Sequence, residues 1–245
     1  MLSVISWKWK PKDDYRSKFT AEHVNIHKSM VKKNLTIPHR YICITDDPIG
    51  LDPDIEVIPL WDDYADVPNP MEGKRPDLSW PSCYRRLKVF ERNASSWLGD
   101  RILSLDLDIV ITGNIDHIAS RTEDFVIWLE GKTKHINGSI WMLKTDSHPE
   151  VWEDFDPIES PKLTKNIKIK GSDQAWFKYK LESTMAAFTG ENDRIYGYSS
   201  ELGGKVNKTV SLPKDAAIIS FNGRFNPWCS KTQIKAPWIK EYWRL

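Results

Sequence analysis

Apolar runs broken by polar, proline-marked turns divide the chain into alternating strand-like and helix-like segments. Leu2 to Ser6 is short and apolar and reads as an opening strand, followed by the polar loop Trp7-Lys-Trp-Lys-Pro-Lys-Asp-Asp. From Thr20 to Leu35 the apolar positions Val24, Met30, Val31 and Leu35, with lysines between them, predict a helix that buries one face and ends before Ile37-Pro38. Tyr41-Ile-Cys-Ile-Thr and Ile55 to Leu60 predict a second and a third strand. Strand, helix, strand at this spacing is a βαβ unit with a right-handed crossover.

Trp61 to Pro81 is rich in Pro and Asp and has little periodicity, so it reads as a long loop of the kind that covers functional sites. Ser82 to Leu98 returns to helical spacing, with Tyr84, Leu87, Ala94 and Trp97 toward a core and Arg85, Lys88 and Arg92 on another side. Ile102 to Leu105 is almost continuously apolar, which predicts a central parallel strand covered on both faces. The extended pattern runs on through Ile109 to Thr112, turns at Gly113-Asn114 and enters a short helical piece from Asp116 to Ser120. Phe125 to Glu130 and Ser139 to Leu143 read as strands flanking a Gly, Lys, His and Asn loop. Gly171-Ser-Asp-Gln opens a helix with Ser172 as N-cap, and Ala216 to Phe221 is a last buried strand. The pattern as a whole predicts an α/β fold with a mostly parallel, Rossmann-like central sheet flanked by helices.

Composition narrows the function classes. With 35 basic and 34 acidic residues in 245, the chain is no globally basic nucleic-acid binder, although Lys162 to Lys170 and Lys205 to Lys214 form local basic stretches. Its length suits one α/β domain. Cys43, Cys83 and Cys229 lack metal-type spacing and read as reduced thiols. The first residues lack the order of a signal peptide, and no apolar run approaches the roughly 18 residues of a membrane span, so a soluble, cytoplasmic protein is expected. The Asn-x-Ser/Thr matches at Asn34, Asn93, Asn137 and Asn207 are discounted on that ground. Most of the twelve tryptophans belong to the core, with some available to stack on a sugar.

The chemistry centres on Asp106-Leu107-Asp108, placed where the central strand ends. In an extended segment carboxylates two apart project to the same side, and two ionised acids that close need a cation or a shared proton. A hard divalent ion carrying phosphate oxygens meets that need, at the carboxyl edge where open α/β sheets bind ligands. The loop after the first strand, entered through Ser6 and Trp7, lies over the same edge. Arg85 or Arg86 supplies a cation for a diphosphate. Asn137-Gly138-Ser139 offers small polar groups and an unhindered backbone, and Asp173 and Gln174 stand in a helix's first turn. Asn222-Gly223-Arg224 ends the last strand, with Gly223 permitting close approach and Arg224 offering a fork for phosphate.

Taken in order, Cys43-Ile-Thr-Asp-Asp, Arg85-Arg-Leu-Lys-Val-Phe, Leu103-Ser-Leu-Asp-Leu-Asp-Ile-Val-Ile-Thr-Gly-Asn-Ile-Asp, Asn137-Gly-Ser-Ile-Trp-Met, Asp173-Gln174, Tyr198-Ser199 and Phe221-Asn-Gly-Arg-Phe-Asn-Pro-Trp resemble bacterial and phage glycosyltransferases of the GT-A fold, distantly similar to the glycogenin-like group. The resemblance spans nearly the whole chain. It implies one GT-A domain over 1–245, with a nucleotide-binding half to about residue 115 and an acceptor half after it. It implies transfer from a nucleotide-sugar, a UDP-sugar, to an acceptor hydroxyl on a glycan, a lipid-linked saccharide or a nucleic acid. By this likeness Asp106 and Asp108 hold Mn²⁺ or Mg²⁺ and the donor diphosphate, Thr45 and Asp46 lie near the nucleotide, and Asp173 and Gln174 lie near the transferred sugar. The family's closing motif carries a histidine metal ligand and a lysine where this chain has Asn222 and Asn226.

Three other readings share some of these features. A metal-dependent phosphohydrolase or nuclease also uses paired acids, but it calls for more carboxylates and a positioned base, and no His cluster accompanies Asp106. A sugar-binding module explains the tryptophans without the acid pair. A transferase acting on hydroxylated DNA bases would use the lysine stretches to hold the acceptor's backbone.

Overall fold

The computed structural model describes residues 1–10, 18–68, 82–131, 135–165, 173–206, 208–221 and 225–245. Ten strands are present among them: β1 Leu2–Lys8, β2 His39–Thr45, β3 Glu56–Pro59, β4 Arg101–Leu105, β5 Ile109–Ile111, β6 Phe125–Glu130, β7 His135–Lys144, β8 Ala186–Phe188, β9 Ile195–Gly197 and β10 Ile218–Ser220. Seven of them form one sheet in the order β3-β2-β1-β4-β7-β6-β8, and β5, β10 and β9 form a second. Four pairings of the large sheet are parallel, and those of β7 with β4 and β6 are antiparallel.

The sheet is buried on both faces because its strands alternate between two apolar layers. Leu2 and Val4 of β1, Tyr41 and Cys43 of β2, and Leu103 and Leu105 of β4 pack with the helix Ala21–Asn34 and the small sheet. Ile5 and Trp7, Ile42 and Ile44, and Ile102 pack instead with the 3₁₀ helix Cys83–Phe90 and the helix Asp173–Leu181. The helix Ala21–Asn34 opens with a capping box between Thr20 and His23, so the predicted βαβ unit forms as expected. All three cysteines are free thiols, and no helix of the described residues is long and apolar enough to cross a membrane.

Several elements differ from the pattern reading. Ser82–Leu98 is not one α-helix: Tyr84, Leu87 and Phe90 recur every third residue, which matches the three-residue turn of the 3₁₀ helix that forms, and Asn93, at φ 65°, separates it from the short helix Ser95–Leu98. Trp97 is only partly buried. The central strand β4 is parallel only to β1, and it stops at Leu105, so Leu107 and Asp108 form a turn rather than a continuation. β5 then belongs to the other sheet. The expected loop before Ser139 is strand from His135 onward. Of the expected Trp61 to Pro81 loop, residues 69–81 lie outside the described residues.

His27 sits fully buried on the helix Ala21–Asn34, its Nδ1 2.7 Å from the Tyr41 hydroxyl and its Nε2 without a partner. Burial pushes its pKa down to about 3. The unfolded chain takes up a proton near the ordinary value of 6.5 while the folded chain does not, so stability falls as pH drops from 6.5 toward about 3. Replacing His27 by Gln is expected to remove a slope of up to about 1.4 kcal/mol per pH unit across that window. Urea unfolding of both proteins at pH 7 and pH 5 measures this, and equal losses in the two would contradict it.

Candidate functional site

The parallel strands β1 to β4 end on one edge, which carries Trp9, Asp46, Asp47 and Asp106. Antiparallel β7 reaches the same edge near its start, since Leu105 pairs with Ile140 and the Asp106 N–H donates to the Ser139 carbonyl at 2.9 Å. There the β6–β7 ladder slips. Ile127 faces Trp141 and the next residue, Trp128, faces Asn137, so Gly138, Ser139 and Ile140 bulge away from β6. Bulges re-aim backbone groups beside functional sites. This one leaves the Gly138 carbonyl to accept from Arg86 Nη1 at 3.2 Å and the Gly138 N–H to donate to Gln174 Oε1 at 2.9 Å. A Cβ on Gly138 would stand 3.3 Å from Gln174 Oε1 and 3.7 Å from Asp173 Oδ2, so the close approach favours glycine.

Arg86 is the cation of the site. Its Nη2 donates to Asp106 Oδ1 at 2.7 Å, its Nη1 lies 3.6 Å from Asp173 Oδ2, and its guanidinium sits 5.7 Å from the ring centres of both Trp7 and Trp9. Burial opposes the charge, but the two carboxylates outweigh it and hold Arg86 protonated. Asp173 is buried at the start of the helix Asp173–Leu181, with Oδ2 lacking a hydrogen-bond partner. Burial raises its pKa to about 6; Arg86 opposes that rise and Asp106 adds to it.

The expected site residues that the structure describes take up distinct places. Asp106, Asp173, Gln174, Arg86 and the Asn137-Gly138-Ser139 segment meet around one guanidinium. Arg86 faces this interior, with 10% of its side chain exposed. Arg85 takes no part: it donates to the Trp61 carbonyl and its own carbonyl accepts from Trp61 Nε1, which pins the 61–68 segment. Asp46 is exposed and accepts from the Lys10 N–H at 3.0 Å, while Thr45 is buried and accepts from the Asp47 N–H. Two expected nucleotide contacts face the core instead. Ser6 is fully buried and donates to the Ile42 carbonyl, because the middle of β1 lies under two apolar layers. Trp7 is also buried, donates to Ser104 Oγ at 2.9 Å and supports Arg86 from beneath. The Leu107 side chain belongs to the core, which leaves only its backbone for a ligand. Asn137 is tied into the protein, donating to Glu130 Oε2 and accepting from Ser139. Asn222, Gly223 and Arg224, with Ser172, Lys168 and Lys170, lie outside the described residues.

Composition gave no sign of two further residues. Lys8 is buried at the end of β1 and binds Asp47 through both its carbonyl and, at 2.7 Å, its carboxylate, which fixes the rim beside Asp46. Trp9 half-covers Arg86. A lysine one residue past an apolar strand was the available signal.

A resident divalent ion is implied by the family likeness. Asp106 and Asp108 offer hard carboxylate oxygens, and with one oxygen of Asp106 held by Arg86 the group is still 24% exposed. Among the described residues no three His, Cys, Asp or Glu side chains gather as a metal site. Carboxylate oxygens of this kind suit an oxygen-preferring divalent ion.

No protein-family model matches the sequence, and no curated protein matches it. Solved structures do. The galactosyltransferase LgtC, in complex with donor and acceptor sugar analogs, aligns with a TM-score of 0.59 at 10% identity, over 94% of this chain and 91% of that one. The glycosyltransferase GlyE of Streptococcus pneumoniae TIGR4 aligns with a TM-score of 0.61 at 10% identity, over all of this chain and 61% of the other. The fold is therefore the GT-A fold that these glycosyltransferases share, as the motif order implied.

The folded Asp173 carboxyl holds its proton to about 6, whereas the unfolded one releases it near 3.8, so its ionisation costs stability as pH rises through that window. Asp173→Asn is expected to be more stable than the parent at pH 7.5, by ~1–3 kcal/mol, and to lose that advantage below about pH 4. Thermal unfolding of both proteins across pH 4 to 8 checks it; a difference that stays constant with pH would contradict it.

Proposed function

We propose that this protein transfers a sugar from a nucleotide-sugar donor, a UDP-sugar, to an acceptor hydroxyl, with Mn²⁺ or Mg²⁺ held by Asp106 and Asp108. In this reading residues 1–245 act as one domain, with the nucleotide half ending near residue 115. The observation that carries it is the meeting of Asp106, Arg86 and Asp173 at the carboxyl edge of a glycosyltransferase-type sheet.

The ion, when bound, neutralises charge on the departing diphosphate. The protein's own groups do the rest. Arg86 holds Asp106 and Asp173 in one orientation, so no reorganisation is needed when charge develops. The Gly138 backbone fixes Gln174 beside them. Asp173, titrating near 6, is ionised at neutral pH and stands ready to take the acceptor hydroxyl's proton. Exposed Asp46, on a rim fixed by Lys8 and Asp47, serves the nucleotide. By the family likeness Asn222 and Arg224 would join the ligand set.

The acceptor is better sought among saccharides than nucleic acids. Lys162 is paired with Glu159 at 2.7 Å, which neutralises part of the basic stretch on which the DNA reading rests.

A thermal-shift screen of nucleotide-sugars with Mn²⁺ identifies the donor, since a ligand of the folded state raises apparent stability. With that donor, Asp108→Asn is expected to lower transfer and donor hydrolysis by about 100-fold or more while far-UV circular dichroism stays unchanged. Turnover equal to the parent's would refute the assignment.

A further inference from the structure

Three hydrogen bonds close a ring around the Asp106–Asp108 turn. The Asp106 N–H donates to the Ser139 carbonyl at 2.9 Å on the β7 side, and the Phe221 N–H donates to the Asp108 carbonyl at 3.1 Å on the β10 side. Between those strands, Ser139 Oγ and Ser220 Oγ lie 3.1 Å apart. The first acid is thus anchored to the large sheet and the second to the small one. The turn that carries both acids is held at each end by a different strand, and the serine pair ties those two strands together.

The direction of the contact follows from proton counting. Ser139 gives its only hydroxyl proton to Asn137 Oδ1 at 2.8 Å, so Ser220 donates to Ser139. Asn137 Nδ2 in turn donates to Glu130 Oε2 at 3.3 Å. The chain Ser220, Ser139, Asn137, Glu130 therefore runs one way and ends on a carboxylate, which polarises every link in the same sense. Both serines are buried, at 0% and 5% exposure, so a hydroxyl that lost its partner would have no water to replace it.

We infer that Ser139 and Ser220 are positioning residues: their hydrogen bond sets the separation of Asp106 and Asp108 at the value that grips a divalent ion. This rests on the proposed reaction and adds to it a pair of side chains that touch neither donor nor acceptor. Misplacing a carboxylate costs a hard ion affinity, because its oxygen ligands must lie at narrow distances.

The test is Mn²⁺ binding in the presence of UDP, read from the paramagnetic resonance signal of free Mn²⁺, for Ser139→Ala, Ser220→Ala, the double variant and Ser220→Cys. Ser3→Ala is the control: Ser3 is equally buried, donates to the Leu98 carbonyl at 2.6 Å and lies at the far end of β1. Each single alanine variant is expected to weaken Mn²⁺ binding about tenfold. The double variant should be no worse than the singles, because they break one shared bond. Ser220→Cys, which keeps a weak donor, should fall between parent and Ser220→Ala, and it carries the test if Ser220→Ala does not fold. Ser3→Ala should lose thermal stability and keep its affinity. Serine variants that bind within about twofold of the parent, or a Ser3→Ala loss equal to theirs, would overturn the inference and leave the proposed function standing. A parent that binds no Mn²⁺ with UDP would overturn both.

Discussion

A buried arginine between two carboxylates is the constraint on which the site depends. Burying the Arg86 charge alone would cost several kcal/mol, and the carboxylates of Asp106 and Asp173 offset that cost. They come from three places: the 3₁₀ helix, the end of β4 and the first turn of the helix Asp173–Leu181. Holding them in register requires both apolar layers of the sheet, and the Trp7 and Trp9 rings flank the guanidinium on the β1 side. The electrostatics leave a residue of strain. Even with Arg86 beside it, Asp173 holds its proton to about 6, which is the range in which a carboxylate serves as a base near neutral pH.

The acids also sit at a structural joint. β4 ends at Leu105, the chain turns through Leu107 and Asp108, and β5 begins in a different sheet. Such a joint leaves both acidic residues at the sheet edge, one on each side of the change of sheet. It also makes their geometry depend on neighbours. The bulge in β7 supplies those neighbours, because residues released from β6 turn their backbone groups and the Ser139 hydroxyl toward Asp106, Arg86, Gln174 and Ser220.

Much of this was legible in the chain. The apolar runs at Leu2–Ser6, Tyr41–Thr45 and Ile102–Leu105 marked the buried strands, because doubly covered strands leave no polar positions to hide. Asp106, Asp173, Gln174 and Arg86 were named from residue type and position at element ends, and the structure brings them together. What escaped was the side-chain direction at breaks in regular structure. Strict alternation through Asp106-Leu107-Asp108 assumed a strand where a turn exists, and that assumption also hid the change of sheet. Arg85 was expected on the side away from the core because helical spacing was read at 3.6 rather than three residues per turn. Ser6 and Trp7 were placed at a ligand because a strand's end and its buried middle look alike in a polar-flanked run. The short strands β8 and β9 carry too few residues for periodicity to show.

The most direct test of the whole account is a crystal structure of the protein with UDP and Mn²⁺ at neutral pH. The account predicts the ion on Asp106 and Asp108, the uridine beside Asp46, and Arg86 still bridging Asp106 and Asp173. A nucleotide bound elsewhere on the molecule, or an Arg86 turned out of that bridge with Asp106 and Asp108 facing apart, would contradict it.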